Sequence, residues 1–115
     1  MTVRIARVYD VPRSATSILV DRLWPRGVKK EDAPFREWLK EVAPSTELRK
    51  WYGHDPDRFA EFARRYRREL AGSPARDAVA DLRARARTRP ITLVTATKDL
   101  DISGAAVLRD VLSRR

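Results

Sequence analysis

The hydrophobic positions of this chain follow two rhythms, one at each end and another in the middle. Val3–Tyr9 and Ser17–Asp21 are short, β-branched and apolar, a pattern that predicts buried strands. Asp10–Thr16 lies between them and contains Pro12, which marks a turn region. That connection is far shorter than the dozen or so residues a helical crossover needs, so the two strands are expected to pair as an antiparallel hairpin.

The middle of the chain reads as helix. Phe35, Trp38, Leu39 and Val42 share one helical face, with Pro34 placed to start that helix and Pro44 to stop it. Ser45 is positioned to cap a short helix that buries Leu48, Trp51 and Tyr52 and ends at Gly53. Asp55-Pro56 opens the strongest amphipathic pattern, with Phe59, Phe62, Ala63, Tyr66 and Leu70 on one side and charges opposite. Ser73-Pro74 opens another helix, carrying Ala75, Ala78, Val79, Leu82 and Ala86 inward.

A final unit returns to strand, Ile91–Thr97, and then helix, with Val107, Leu108, Val111 and Leu112 facing in. The long helical crossover before it predicts that this strand lies parallel to Ser17–Asp21, which sets Asp21 and Lys98 at one edge of the sheet. The expected fold class is α/β: a compact single domain over 1–115, with a small mixed or mostly parallel sheet flanked by helices.

Residues 21–27, Asp-Arg-Leu-Trp-Pro-Arg-Gly, follow the second strand directly. Pro25 and Gly27 prevent a simple continuation of strand or helix. Ligands of open α/β sheets bind beyond the carboxyl ends of the strands, so this loop marks a candidate site.

The run Ile18–Lys30 (ILVDRLWPRGVKK) and the run Trp38–Pro56 (WLKEVAPSTELRKWYGHDP) resemble the YeaO-like family of small bacterial proteins. The likeness continues through Phe62 and Tyr66-Arg67-Arg68-Glu69-Leu70 to the Lys98-Asp99 turn, spanning Arg7 to Leu112. It implies an α/β fold and a cytoplasmic bacterial protein, and it implies no particular activity. Two departures alter the polar side chains near the turn. Family members commonly have Tyr or a similar residue before the Ala-Lys-Asp/Asn turn, where this chain reads Thr95-Ala96-Thr97-Lys98-Asp99. They also commonly have Asn at the start of the last helix, where Ser103-Gly104 stands here.

Charge adds a rival reading. Lys and Arg total 25 against 16 Asp and Glu, for a net +9, and all but Lys29, Lys30, Lys40, Lys50 and Lys98 are arginine. Arg64, Arg65, Arg67, Arg68, Arg83, Arg85 and Arg87 fall on outward helical positions, which suits salt-sensitive attraction to phosphates. No nucleic-acid-binding motif accompanies them, so a nucleic-acid partner ranks below a small molecule. With no cysteine, thiolate and Cys-based zinc chemistry are excluded, and a reducing compartment is expected. The amino-terminal residues lack an apolar stretch for a signal peptide or membrane span, so the expectation is a soluble cytoplasmic protein with no membrane partner.

Arg22 and Arg26 offer planar forks for a phosphate or carboxylate; alternatively, Arg22 pairs with Asp21 or with a helix C-terminus. Asp21 is a candidate ligand anchor or general base, but its first-ranked role is to lock Arg22, Arg26 or Lys98. His54 is the only histidine and a weaker acid/base candidate, since Asp55 as an N-cap before Pro56 already accounts for that turn. Lys98 supplies a point charge. Asp99 and Asp101 form a D-x-D pair, of which one is expected to cap the last helix rather than hold Mg²⁺. Trp24, in the loop, is the candidate for stacking on a ligand, whereas Trp38 and Trp51 are read as core. No Gly-rich phosphate loop, nucleophile elbow or metal-binding His pair is present, and no metal or cofactor is expected.

The resulting expectation is a site for an anionic or nucleotide-like small molecule, binding only or enzymatic, built from Asp21, Arg22, Trp24, Arg26, Lys98 and Asp99. The alternatives are a nucleic-acid-binding module using the Arg-rich helices and a protein-interaction domain without catalysis.

Overall fold

Four strands form one sheet in the computed structural model, which describes residues 1–114: β1 (Val3–Arg7), β2 (Ser17–Leu19), β3 (Glu37–Trp38) and β4 (Ile91–Thr95). Their order is β1-β4-β2-β3, and every pairing is parallel. β4 holds the centre because Ile91, Leu93, Val94 and Thr95 are all buried, whereas β1 exposes Arg4 and suits an edge.

The hairpin expected of the first two strands does not form. β1 and β2 both run parallel to β4 and lie on either side of it. Residues 8–16 return across the sheet as an irregular loop, held by Ser14 N–H to Pro34 O at 3.1 Å and by the Ser14 and Thr16 hydroxyls at 3.1 Å. The expectation failed because it assumed the two strands were neighbours. Once β4 fills the gap, the loop needs no helix.

A second correction concerns residues 35–42, where the sequence predicts a helix. The chain instead forms the two-residue β3 and a 3₁₀ turn, Lys40–Val42. The open edge of β2 captures this segment: Arg36 N–H donates to Ser17 O at 3.1 Å and Leu39 N–H to Leu19 O at 2.9 Å. Phe35 and Trp38 then face one side of the sheet while Leu39 and Val42 join the other, so tertiary pairing overrides the local period.

The remaining helices match their sequence signals. They are α1 (Thr46–Tyr52), α2 (Phe59–Ala71), α3 (Ala75–Thr88) and α4 (Gly104–Ser113). Ser45 caps α1 by accepting from Leu48 N–H, and Gly53 ends it at φ 54°. Asp55 accepts from Asp57 N–H at 3.0 Å and opens a 3₁₀ turn, Pro56–Arg58, that leads into α2. The cap of α4 is Ser103, which accepts from Ala106 N–H, and not an aspartate as the sequence suggested; Asp99 caps the 3₁₀ turn Leu100–Ile102 before it.

The sheet separates two apolar clusters. On one side Ile18, Val20, Ile91 and Leu93 meet the inward faces of all four helices, with Phe62, Tyr66, Leu82, Leu108 and Leu112 at the centre. On the other, Val8, Leu19 and Val94 meet Ala33 and Phe35 from the segment between β2 and β3, and Trp38 of β3 itself. Such alternation is what the two-residue period of a buried strand demands. Among the described residues, no helix is long and apolar enough to cross a membrane.

Candidate functional site

Because the sheet is parallel, β1, β2 and β4 all end at the same edge, and the residues that follow them surround one open cleft of about 1160 Å³. Its lining includes Arg7 at the end of β1 and Tyr9 beyond it, Asp21 to Arg26 after β2, and Ala96 to Ile102 after β4. The end of α1 and the turn beyond it add Arg49, Lys50, Tyr52 and His54. Asp21, Arg22, Trp24, Arg26, Lys98 and Asp99 thus meet in one place, as does His54.

Their local bonds differ from the expected ones. Asp21 does not lock an arginine or Lys98. Its Oδ1 accepts from the Thr95 hydroxyl at 2.7 Å and its Oδ2 from Ala96 N–H at 2.8 Å, which ties the end of β2 to the end of β4. Burial pushes the Asp21 carboxyl above the usual carboxylate range, against the opposing pull of these two hydrogen bonds and of Arg49 and His54. The ionised form is tolerated there because both oxygens are already hydrogen-bonded.

Arg22 is turned toward the backbone. Its Nε donates to Pro44 O at 2.9 Å and its Nη2 to Ala43 O at 3.2 Å, so the fork closes the end of the Lys40–Val42 turn. This is the helix-C-terminus role among those the sequence allowed. Trp24 donates from Nε1 to Val28 O at 2.6 Å and packs edge-on against Phe35 and Trp38, with 37% of its surface exposed. Arg26 is exposed, and its carbonyl accepts from the Tyr9 hydroxyl at 2.8 Å. Gly27, at φ 80°, makes that turn possible without strain.

Among the described residues, the side chains of Arg26, Arg49, Lys50 and Lys98 make no ion pair or hydrogen bond. Arg7 reaches Asp10 at 3.5 Å and lies over the Tyr9 ring. Asp99 uses one oxygen on Asp101 N–H at 3.1 Å. No group of three or more His, Cys, Asp or Glu side chains among the described residues is placed to hold a metal ion. Thr95 could serve as a nucleophile only if a substrate reached it, and it is 1% exposed, so its bond to Asp21 is structural. His54 adopts φ 57°, in the left-handed region that costs a non-glycine residue about 1 kcal/mol.

Sequence reasoning missed Arg7, Tyr9, Arg49, Lys50 and Tyr52 as lining residues. A hairpin places Arg7 and Tyr9 at the opposite edge of the sheet from Asp21. A parallel reading of β1 brings them in by the same strand-end rule that finds Asp21.

The fold and cleft define a single-domain α/β protein with a ligand-sized hollow at the carboxyl edge of a parallel sheet. A family model described as the inactive DUF488-N3 subclade matches residues 2–115, and the chain belongs to this family. It is 41% identical to the uncharacterized protein YeaO of Escherichia coli over 97% of each chain, in line with the YeaO-like resemblance. It is 48% identical to uncharacterized proteins of Mycobacterium tuberculosis and Mycobacterium bovis, over 98% of this chain and 95% of theirs. No solved structure matches it.

Proposed function

We propose that the protein binds an anionic small molecule in the cleft at the strand ends. One observation carries this reading: Arg26, Arg49, Lys50 and Lys98 line a single hollow, and none of them has a protein partner among the described residues. Cations clustered in a concave, partly apolar site raise the local concentration of anions and bind them more strongly than they would on a flat surface. Phosphates and carboxylates are the fitting ligand groups, since they accept charge-assisted bonds from both Arg and Lys.

Binding without turnover is the form of this proposal that the residues favour. Asp21 and His54 are the acid/base candidates, yet Asp21 already accepts two protein hydrogen bonds and the adjacent hydroxyl, Thr95, is buried. The family's description as an inactive subclade is consistent with that form.

Two observations set the rival readings lower. Part of the helix arginine charge is already partnered: Arg64 and Arg65 with Glu61, and Arg85 with Glu37 and Asp81. Of the exposed large apolar side chains among the described residues, Met1, Tyr9, Leu23 and Trp24, all but Met1 line the cleft, so no separate apolar patch among these residues calls for a protein partner.

The test is an amide NMR titration with ethyl phosphate. Shifts confined to the residues around Arg26, Lys50 and Lys98, and an affinity about tenfold or more weaker in an Arg26→Ala, Lys98→Ala double variant, are expected for lost charge-assisted bonds. Shifts scattered over the helix arginines, or none at all, overturn the reading.

A further inference from the structure

The cleft holds charges of both signs. Arg26, Lys50 and Lys98 are exposed side chains of its lining, as are the carboxylates Asp99 and Asp101, whereas Asp21 is only partly accessible and ties the end of β2 to the end of β4. A carboxylate offers about four acceptor directions, two on each oxygen. Thr95 and Ala96 use one on each. The remaining acceptor capacity belongs to a residue of the cleft wall, and among the described residues no cation lies within ion-pair distance of it. A simple anion entering this site is drawn in by the cations and repelled by Asp21. An occupant that also brings a hydrogen-bond donor turns that repulsion into a bond.

We propose that the ligand is bifunctional, with an N–H donor group, an amine or amide-like edge, received by Asp21 and an anionic group held by Arg26, Arg49, Lys50 and Lys98. The inference rests on the anion-binding reading and narrows it to molecules that carry both groups. Tyr9, Leu23 and Trp24, exposed in the lining of the same cleft, offer apolar surface to the remainder of such a molecule. Asp21 in this scheme is a specificity-determining residue: it selects among anions without being needed for the attraction of anions as such.

Matched probes separate the two claims. Ethyl phosphate is compared with aminoethyl phosphate, and hexyl phosphate with aminohexyl phosphate, by amide NMR and calorimetry on the full chain. The expected result is that at least one amine-bearing probe binds about tenfold tighter than its partner, the margin of one charge-assisted hydrogen bond. The Ala96 amide, whose proton is bonded to Asp21, then shifts with the amine-bearing probe and not with the plain one. Asp21→Asn abolishes the preference while leaving the plain phosphates bound. Equal affinity within both pairs overturns the inference and leaves anion binding standing. Absence of binding by all four probes removes anion binding and this inference together. The wild-type comparison decides the matter even if Asp21→Asn fails to fold.

Discussion

Asp21 and Ala96 join the carboxyl ends of two parallel strands, with the Asp21 Oδ2 accepting the Ala96 N–H at 2.8 Å. The bond does two jobs. It fixes where the loop after β2 leaves the sheet, and it places a carboxylate in the wall of the cleft.

Stability should report that carboxylate as the pH changes. Burial raises the folded-state pKa of Asp21 above its ordinary 3.8, so between the two values the native state binds more protons than the unfolded one. Asp21 therefore contributes stability that declines as pH rises from about 4 through its folded pKa. Asn has no such titration. The stability of wild type minus that of Asp21→Asn should fall over this window, as measured by urea denaturation at a series of pH values. A difference that rises instead would show that hydrogen bonding, and not burial, dominates the shift.

Glu61 bends the pH profile the other way. Its hydrogen bonds to Arg64 and Arg65 lower its carboxyl to about 2, so its contribution is present above its ordinary 4.5 and fades as pH falls toward 2. Glu61→Gln should lower stability slightly at pH 7 and flatten the acid limb of the stability curve by the same small amount, because the pair is solvent-exposed and screened.

The two arginines of the Asp21–Gly27 loop should separate in their effects. Arg22→Ala removes both bonds to the Pro44 and Ala43 carbonyls and should cost about 2 kcal/mol in chemical denaturation. Arg26→Ala, whose side chain has no protein partner among the described residues, should leave stability unchanged and weaken phosphate binding. Calorimetry and denaturation on the two variants check this. A stability loss at Arg26 equal to that at Arg22 would contradict the assignment.

The turn between α1 and α2 should behave as a cap. Asp55→Ala should cost about 1 kcal/mol, the usual loss for a missing N-cap acceptor. His54→Ala should be milder, since the histidine side chain makes no capping bond and only packs near the Tyr52 ring. Thermal melts of both variants distinguish the two effects.

Charge reversal on the outer face of α2 separates the cleft from the basic surface. Arg67 and Arg68 are exposed and have no partner among the described residues. Arg67→Glu with Arg68→Glu should leave ethyl phosphate binding intact. Any non-specific attraction to nucleic acid should weaken in the same variant, and its salt slope should drop by about one for each phosphate no longer engaged.

The helical half of the fold was legible in the sequence because its signals are local. Ser45, Asp55 and the spacing of Phe62, Tyr66 and Leu70 act within a few residues, and each appears where the pattern places it. The sheet was harder to read because pairing is decided between distant segments. Phe35, Trp38, Leu39 and Val42 have helical spacing, but the backbone groups of Ser17 and Leu19 offered them hydrogen bonds that no local rule registers. The same limit applies to the site. A long crossover implies parallel strands and so puts Asp21 and Lys98 at one edge, whereas the place of Arg7 follows only from the orientation of β1. Asp21's partners, Thr95 and Ala96, became visible only once the register of β2 against β4 was known.

The strand that joins β1 to the rest of the sheet is also the last to be made. Val3 pairs with Ile91 and Ile18 with Leu93, and β1 has no other strand beside it. During synthesis the first strand therefore leaves the ribosome long before its only neighbour exists. Pairings between such distant segments slow folding, because the entropy of closing the chain is lost before the contacts compensate for it. Until residues 91–95 emerge, β1 and β2 each hold an unpaired edge, the kind of surface on which nascent chains associate wrongly. A chain cut short before β4 lacks α4 as well, so it should keep helical signals and yet aggregate, and regaining solubility should take both elements.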